Sequence, residues 1–164
     1  MKTLFIALRS LVYLSCFVLL WSWVALWIQK YDPIVGVLLP PWVEIPGMIL
    51  IMIGGSLAIL CIGTFVVSGK GTAAPFDAPR EFVAAGPYRF VRNPMYIGGW
   101  LVLAGFGMYE HSLSIVLFSM LWLILANLFV FFVEEPGLER RFGQSYLDYK
   151  KSVRRWLPKP NSSR

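Results

Sequence analysis

Two short polar motifs stand beside long apolar segments, and their residue types are those that bind charged small molecules. The first motif is Arg92-Asn93-Pro94, at the start of the apolar run that ends at Tyr109. Asn is a favoured N-cap residue and Pro a favoured first helical residue, so a helix is predicted to begin here. The first amide groups of such a helix lack intrahelical partners and carry positive potential, which suits a carboxylate or phosphate.

The second motif is the carboxylate pair Glu134-Glu135, followed by Pro136, at the end of the next apolar run. Proline disfavours helical backbone in the residue before it, so the helix is predicted to end here. Carboxylates at a helix C-terminus beside a bilayer are unfavourable without a cationic partner. The pair is therefore predicted either to bind a ligand or to form a structural ion pair with Arg92 or Arg89.

The short link Glu110-His111-Ser112 joins these two apolar runs. A link of this length predicts an antiparallel helical hairpin, which brings both motifs to the same membrane face. The predicted pocket there would suit a zwitterionic or cationic ligand with hydroxyl groups. Asn127, inside the second run, is a further polar candidate, either in a substrate channel or in an interhelical hydrogen bond.

The composition excludes several other kinds of site. His111 is the only histidine, and Cys16 and Cys61 both lie inside apolar runs, so neither a metal site nor a catalytic triad is predicted. The net charge is +6, but the basic residues flank apolar spans. Membrane topology and anionic lipids explain that pattern better than nucleic acid does.

The chain is 57% hydrophobic, with a mean hydropathy of +0.65, which predicts a polytopic membrane protein. The fold class is all-α, with about four transmembrane helices and a cytoplasmic amphipathic C-terminal helix. The predicted spans are Leu11–Ile28, Ile45–Val67, a short one at Pro94–Tyr109, and Leu113–Val133. The third would cover about 24 Å, less than the hydrocarbon core of about 30 Å.

The tail from Glu134 onward has an apolar stripe at helical spacing and basic residues on its other face. We expect this helix to lie on the membrane surface, the alternative being that it packs on the loop formed by residues 68–92. The stripe consists of Leu138, Phe142, Tyr146, Tyr149, Val153 and Trp156.

Residues 1–164 are expected to form one membrane domain. Residues 1–67 would supply two anchoring helices, and residues 68–164 would supply a cofactor-binding loop, the hairpin and the tail. With both termini and the active site in the cytoplasm, Lys30 is the only basic residue of 15 outside, as the positive-inside rule favours. A cell inner membrane is the expected location.

Glycines along the second span, at positions 47, 54, 55 and 63, have two interpretations. They could form a face for close helix packing. They could equally reflect the ordinary tolerance of membrane helices for glycine.

The two motifs together resemble the membrane methyltransferases, which include isoprenylcysteine carboxyl methyltransferase and the phospholipid N-methyltransferases. The resemblance covers about residues 70–158. The segments that carry it are Gly86-Pro-Tyr-Arg-Phe-Val-Arg-Asn-Pro-Met-Tyr-Ile-Gly98, Glu134-Glu-Pro-Gly-Leu138 and Phe142-Gly-Gln-Ser-Tyr-Leu-Asp-Tyr149.

This resemblance implies an S-adenosylmethionine pocket on the cytoplasmic side and methyl transfer to a lipophilic small molecule or lipid, at O, N or S. It implies that Arg92 and Glu134 have the catalytic roles, and that membrane lipids and a lipophilic acceptor are the partners. We also expect the 68–92 loop to close over the pocket. The implied cofactor-binding residues are Arg80, Phe82, Val83, Tyr88, Arg92, Asn93, Pro94, Met95, Tyr96, Glu134 and Glu135.

Two positions differ from the prenylcysteine enzymes. Asn93 stands where those enzymes have His, and in this respect the motif looks like that of phosphatidylethanolamine N-methyltransferase. Val130 stands where they have an Arg that contacts the substrate. Two other function classes stay open: a non-catalytic membrane accessory or binding protein, and an NADPH-dependent membrane reductase of related fold.

Overall fold

The computed structural model of the protein describes residues 2–69 and 82–159, and most of them are helical. The predicted loop of residues 68–92 lies partly outside these ranges, as does the candidate residue Arg80. The α-helices are α1 (Lys2–Gln29), α2 (Asp32–Val35), α3 (Glu44–Thr64), α4 (Pro94–Tyr109), α5 (Leu113–Phe129), α6 (Glu135–Phe142) and α7 (Gln144–Ser152). Short 3-10 turns occupy Pro41–Val43 and Gly86–Arg89, and π-helical turns occupy Phe65–Gly69 and Val130–Glu134.

Within the described residues, three helical segments are long and apolar enough to cross a membrane: Phe5–Gln29, Pro41–Ser68 and Leu113–Phe142. This confirms an all-α polytopic membrane protein. The remaining apolar helix, α4, has the bounds that the sequence predicts and is 16 residues long. It is about 24 Å long. It packs between α3 and α5, which cover two of its sides.

Helices α3 and α4 are antiparallel and in direct backbone contact at two pairs of glycines. A Cβ atom on Gly47 would lie 2.7 Å from the carbonyl oxygen of Gly105, and one on Gly54 would lie 2.5 Å from that of Gly98. Side chains at these positions would separate the helices. In contrast, Gly55 has open space around it. The packing interpretation is therefore correct for Gly47 and Gly54 but not for Gly55.

The α4–α5 hairpin forms as predicted, and its turn lies at the same end of the helices as the α1–α3 connection. Ser112 caps α5 by accepting a hydrogen bond from the Ile115 amide at 3.2 Å. Asp32 then accepts hydrogen bonds from the Ser112 hydroxyl and the Ser114 amide, both at 3.0 Å. These bonds fix α2, which follows α1 directly, to the start of α5.

The predicted helix end at Glu134 and Glu135 is wrong. The chain passes through the π-helical turn Val130–Glu134 directly into α6, and the Glu135 amide donates to the carbonyl oxygen of Val130, five residues back. Pro136 occupies the first turn of α6. Proline lacks the N–H of an intrahelical hydrogen bond, and the helix continues past it because the regular bonding pattern is already interrupted at the π-helical turn directly before it.

The tail is helical, as expected, but it forms two short helices that are separated at Gly143, whose φ is 54°. Beyond α7 the chain is not helical: Val153 has extended backbone, and Arg154 forms a parallel bridge with Val91. Tyr146 and Tyr149 are buried, and both rings contact that of Phe82. These tyrosines of the apolar stripe thus pack on the loop that precedes α4, which is the alternative to lying on the membrane surface.

Candidate functional site

The polar residues of the two motifs meet at one end of the helices, where α4 begins and α5 passes into α6. Asn93 occupies the N-cap position of α4, and its carbonyl oxygen accepts from the Ile97 amide at 3.2 Å. Its side chain does not cap the helix, in contrast to the prediction. The side-chain amide instead donates to the carbonyl oxygen of Arg155 at 3.4 Å, because the tail returns to this point.

Glu135 is the centre of a buried ionic network and is 3% exposed. Arg92 donates to one of its oxygens at 2.7 Å, and Arg155 donates to both of them at 2.8 Å. Lys150 lies 3.4 Å from the same carboxylate. The hydrogen bonds to Glu135 raise the pKa of Arg155 despite its partial burial. Glu135 is therefore a fully paired structural carboxylate.

The guanidinium of Arg92 is almost entirely used within the protein. Besides Glu135, it donates to the carbonyl oxygen of Lys150 at 3.2 Å and to that of Val153 at 2.7 Å. Its Nε atom is buried, with no hydrogen-bond partner among the described residues. Arg92 thus ties the start of α4 to α6 and to the tail, and its Nε is a donor atom without a partner among the described residues.

Glu134 has a different environment from its neighbour. It is half-buried, and the Tyr96 hydroxyl donates to its Oε2 atom at 2.7 Å. In the described part of the chain, Tyr96 is the one hydrogen-bond donor to this carboxylate. A carboxylate has about four lone-pair sites, so Glu134 retains the capacity to bind hydroxyl or amino groups of a ligand.

Aromatic rings surround Tyr96, the residue that donates a hydrogen bond to Glu134. The Tyr96 ring lies 6.2 Å from that of Trp122 and 6.5 Å from that of Trp156. The Trp156 indole donates to the Asn127 side-chain oxygen at 2.9 Å. Trp156 was predicted to lie on the tail helix, but α7 ends at Ser152, and neither Trp156 nor Arg155 is among the predicted site residues. No local pattern relates either residue to the carboxylate pair.

The remaining candidates form a neighbouring aromatic cluster. Phe82 contacts the tail tyrosines, and Tyr88 packs edge-on against Phe65 with ring centroids 5.0 Å apart. The Tyr149 hydroxyl donates to the Tyr88 carbonyl oxygen at 2.6 Å, and burial raises the Tyr149 pKa. Val83 and Tyr88 are buried. This cluster supports the loop before α4.

Two further candidates lie in the first turn of α4. Pro94 is fully buried, and Met95 is half-buried beside it. The structure thus brings together Arg92, Asn93, Tyr96 and the two carboxylates. Among the residues that it describes, no group of three or more His, Cys, Asp or Glu side chains could hold a metal ion.

Comparison with known proteins identifies the family. Residues 42–145 match the family described as phospholipid methyltransferase, and this range includes both sequence motifs. The chain is 30% identical over 88 residues to phosphatidylethanolamine N-methyltransferases of Sordaria macrospora and Neurospora crassa. Each match covers 52% of this chain but only 9% of the relative. No solved structure gives a significant match. This protein belongs to the phospholipid methyltransferase family.

Proposed function

We propose that the protein is a membrane methyltransferase that moves the methyl group of S-adenosylmethionine to a lipid or another lipophilic acceptor. Membership of the phospholipid methyltransferase family supports methyl transfer at a membrane. The observation that carries the proposal is the difference between the two carboxylates. Glu135 is saturated by basic residues, whereas Glu134 keeps free acceptor capacity beside the first turn of α4.

The residues of the site fit the polar groups of the cofactor. Glu134 would accept hydrogen bonds from its amino group or ribose hydroxyls. The amide N–H groups of Met95 and Tyr96, in the first turn of α4, and the Arg92 Nε atom would bind its carboxylate. Tyr96 holds the Glu134 carboxylate in place through its hydroxyl.

The cofactor would supply a methyl group bound to a sulfonium sulfur: the lone pair of the acceptor atom would form a bond to the methyl carbon, in line with the carbon–sulfur bond that breaks, and the sulfur would leave as a neutral thioether. Such a reaction requires alignment of the two reactants more than proton transfer. The ion pairs of Glu135 with Arg92 and Arg155 hold α4, α6 and the tail together. They would therefore keep the residues that align the two reactants in fixed positions. The aromatic rings beside Tyr96 would exclude water from the acceptor side.

Phosphatidylethanolamine is the first acceptor to test, because the curated relatives carry its name. A lipid of this kind could reach the site laterally from the bilayer. We further propose that the site and both termini face the cytoplasm, since this orientation leaves only Lys30 among the basic residues on the outer side.

The test uses the purified protein in phosphatidylcholine vesicles that contain either phosphatidylethanolamine or an extract of the host cell's lipids. Calorimetry with S-adenosylmethionine and with NADPH measures cofactor choice, and methyl-labelled cofactor measures transfer into lipid. We expect saturable binding of S-adenosylmethionine and label in a lipid fraction. Binding of NADPH alone would identify a reductase instead, and binding of neither compound would identify an accessory protein.

A further inference from the structure

Asn127 is a polar side chain in the apolar helix α5, seven residues before Glu134. That separation places it about 10 Å deeper along the helix axis than the carboxylate. A polar side chain at such a depth is unfavourable unless its hydrogen-bonding groups have partners. The side chain is half-buried, so part of it stays accessible to another molecule.

The orientation of the Asn127 amide follows from its partner. The Trp156 indole nitrogen lies 2.9 Å from the Asn127 Oδ1 atom. An indole N–H can only donate, so the amide oxygen must face Trp156 and the NH₂ group must point away from it. Within residues 2–69 and 82–159, this NH₂ group has no hydrogen-bond partner. Its two N–H donors therefore have a defined direction and can bind an acceptor on another molecule.

Trp156 is itself held by the return of the tail to α4. The Arg92 amide donates to the Arg154 carbonyl oxygen at 2.9 Å, and the Asn93 amide donates to that of Arg155 at 3.2 Å. These bonds place the indole edge-on to the Tyr96 ring. A continuous line of contacts therefore runs from Glu134 through Tyr96 and Trp156 to Asn127.

We propose that Asn127 recognises the acceptor lipid by donating a hydrogen bond from its side-chain NH₂ group, and that Trp156 is its positioning residue. The matching group on the lipid is an oxygen that accepts hydrogen bonds, either an ester carbonyl or a phosphate oxygen. Asn127 lies deeper in the membrane than Glu134, as these oxygens lie deeper than the end of a lipid headgroup. This inference rests on the proposed methyl transfer to a lipid.

The test measures methyl transfer in vesicles with increasing mole fractions of phosphatidylethanolamine in phosphatidylcholine. Asn127→Leu keeps the approximate volume of the side chain and removes the amide. We expect the mole fraction for half-maximal rate to rise about five- to tenfold, the factor for one hydrogen bond. The dissociation constant for S-adenosylmethionine should stay unchanged. If phosphatidylethanolamine takes no label, the lipid of the host extract that does take it serves as the acceptor.

Trp156→Phe tests the positioning role, because it keeps an aromatic ring and removes the N–H donor. It should raise the half-maximal mole fraction in the same direction but by less. In the double variant the effects should not add, since both act through the Asn127 amide. Ser119→Ala is the matched control, because it removes a hydroxyl that bonds within α5 to the Val116 carbonyl. It should leave acceptor dependence unchanged.

The source of the accepting oxygen is resolved with a dialkyl ether phosphatidylethanolamine, which keeps the phosphate and lacks the ester carbonyls. If the effect of Asn127→Leu disappears with the ether lipid, Asn127 binds the carbonyl. If the effect persists with both lipids, Asn127 binds the phosphate. The inference is overturned if Asn127→Leu lowers only thermal stability and leaves acceptor dependence unchanged with an active wild-type protein. A wild-type protein that neither binds S-adenosylmethionine nor transfers label overturns the proposed function, and this inference with it.

Discussion

Glu134 and Glu135 are adjacent in sequence and chemically identical, yet their surroundings differ. Glu135 accepts hydrogen bonds from two arginines and is nearly inaccessible, whereas Glu134 accepts one hydrogen bond from Tyr96. A saturated carboxylate stabilises the fold, and a carboxylate with free lone pairs can bind a ligand. Under the proposed function, Glu135 has the structural role and Glu134 would have the binding role.

The two matched variants Glu134→Gln and Glu135→Gln should therefore behave differently. Glu134→Gln should weaken S-adenosylmethionine binding at least about tenfold, the effect of losing a charge-assisted hydrogen bond, with little change in the melting temperature. Glu135→Gln should destabilise the fold by about 3 kcal/mol, because it leaves two partly buried arginines without their anion. Calorimetry and thermal unfolding in detergent measure the two effects. Unchanged cofactor affinity in Glu134→Gln would remove this residue from the proposed site.

Asp32, outside the membrane spans, predicts a pH dependence of stability. Burial raises its pKa, but the hydrogen bonds from Ser114 and Ser112 outweigh burial and lower the net pKa below its ordinary value. A group with a lowered pKa stabilises the fold above the unfolded pKa, here about 4, and this contribution is lost as the pH falls through the folded pKa. The melting temperature of the wild type should exceed that of Asp32→Asn at pH 7, and the gap should close toward pH 3. An equal gap at both pH values would contradict this.

At the scale of elements, the glycine pairs between α3 and α4 determine how closely these helices approach. The two contacts on α3 are seven residues apart, two helical turns, so they lie on one face of the helix. Close approach matters for the site because α4 carries the Arg92-to-Tyr96 region at its start. Displacement of α4 would move this region relative to the end of α5.

Gly54→Ala and Gly55→Ala form a matched pair on adjacent residues of α3. A methyl group at position 54 meets the Gly98 carbonyl oxygen at 2.5 Å, whereas one at position 55 meets nothing within 4 Å. Gly54→Ala should destabilise the protein by about 1–3 kcal/mol through overpacking. Gly55→Ala should be neutral or slightly stabilising, since alanine favours helix more than glycine does. Thermal unfolding in detergent compares them, and equal stabilities would contradict the close contact.

Across the whole molecule, the tail is what completes the polar end of the helices. Arg155, Lys150 and Trp156 all come from the tail and contact residues of the α4 and α5 region. The chain thus closes on itself at the end opposite the α4–α5 turn. Both the ionic network around Glu135 and the contacts of Trp156 with Tyr96 and Asn127 depend on the return of the tail to the start of α4.

The orientation of the whole molecule can be tested with single cysteines. In a background of Cys16→Ser and Cys61→Ala, Ile34→Cys lies in α2 and Gln144→Cys lies at the start of α7, at opposite ends of the helices. With the site in the cytoplasm, a membrane-impermeant maleimide should label position 34 in intact cells. It should label position 144 only after permeabilisation. The reverse pattern would place the site outside.

Much of the architecture could be predicted from the sequence because its signals are local. The lengths of apolar runs predicted the three helical segments that are long enough to cross a membrane, and Asn93-Pro94 with the link at Glu110 to Ser112 predicted α4 and its hairpin with α5. The same motifs predicted the family, whose match includes residues 42–145. The predicted helix end at Pro136 is wrong because the π-helical turn before it lets the chain continue into α6.

The sequence by itself predicted that the two carboxylates and the start of α4 would meet at one end of the helices. Only the tertiary structure decided that Glu135 is fully paired and that Glu134 keeps acceptor capacity. It also decided that the Asn93 side chain bonds to the tail and does not cap α4. The reason is that Arg155 reaches Glu135 from 20 residues away, after the break at Gly143 and the return of the chain to Arg92. Partners brought together by chain reversal leave no periodic pattern in the sequence, whereas helices and turns do.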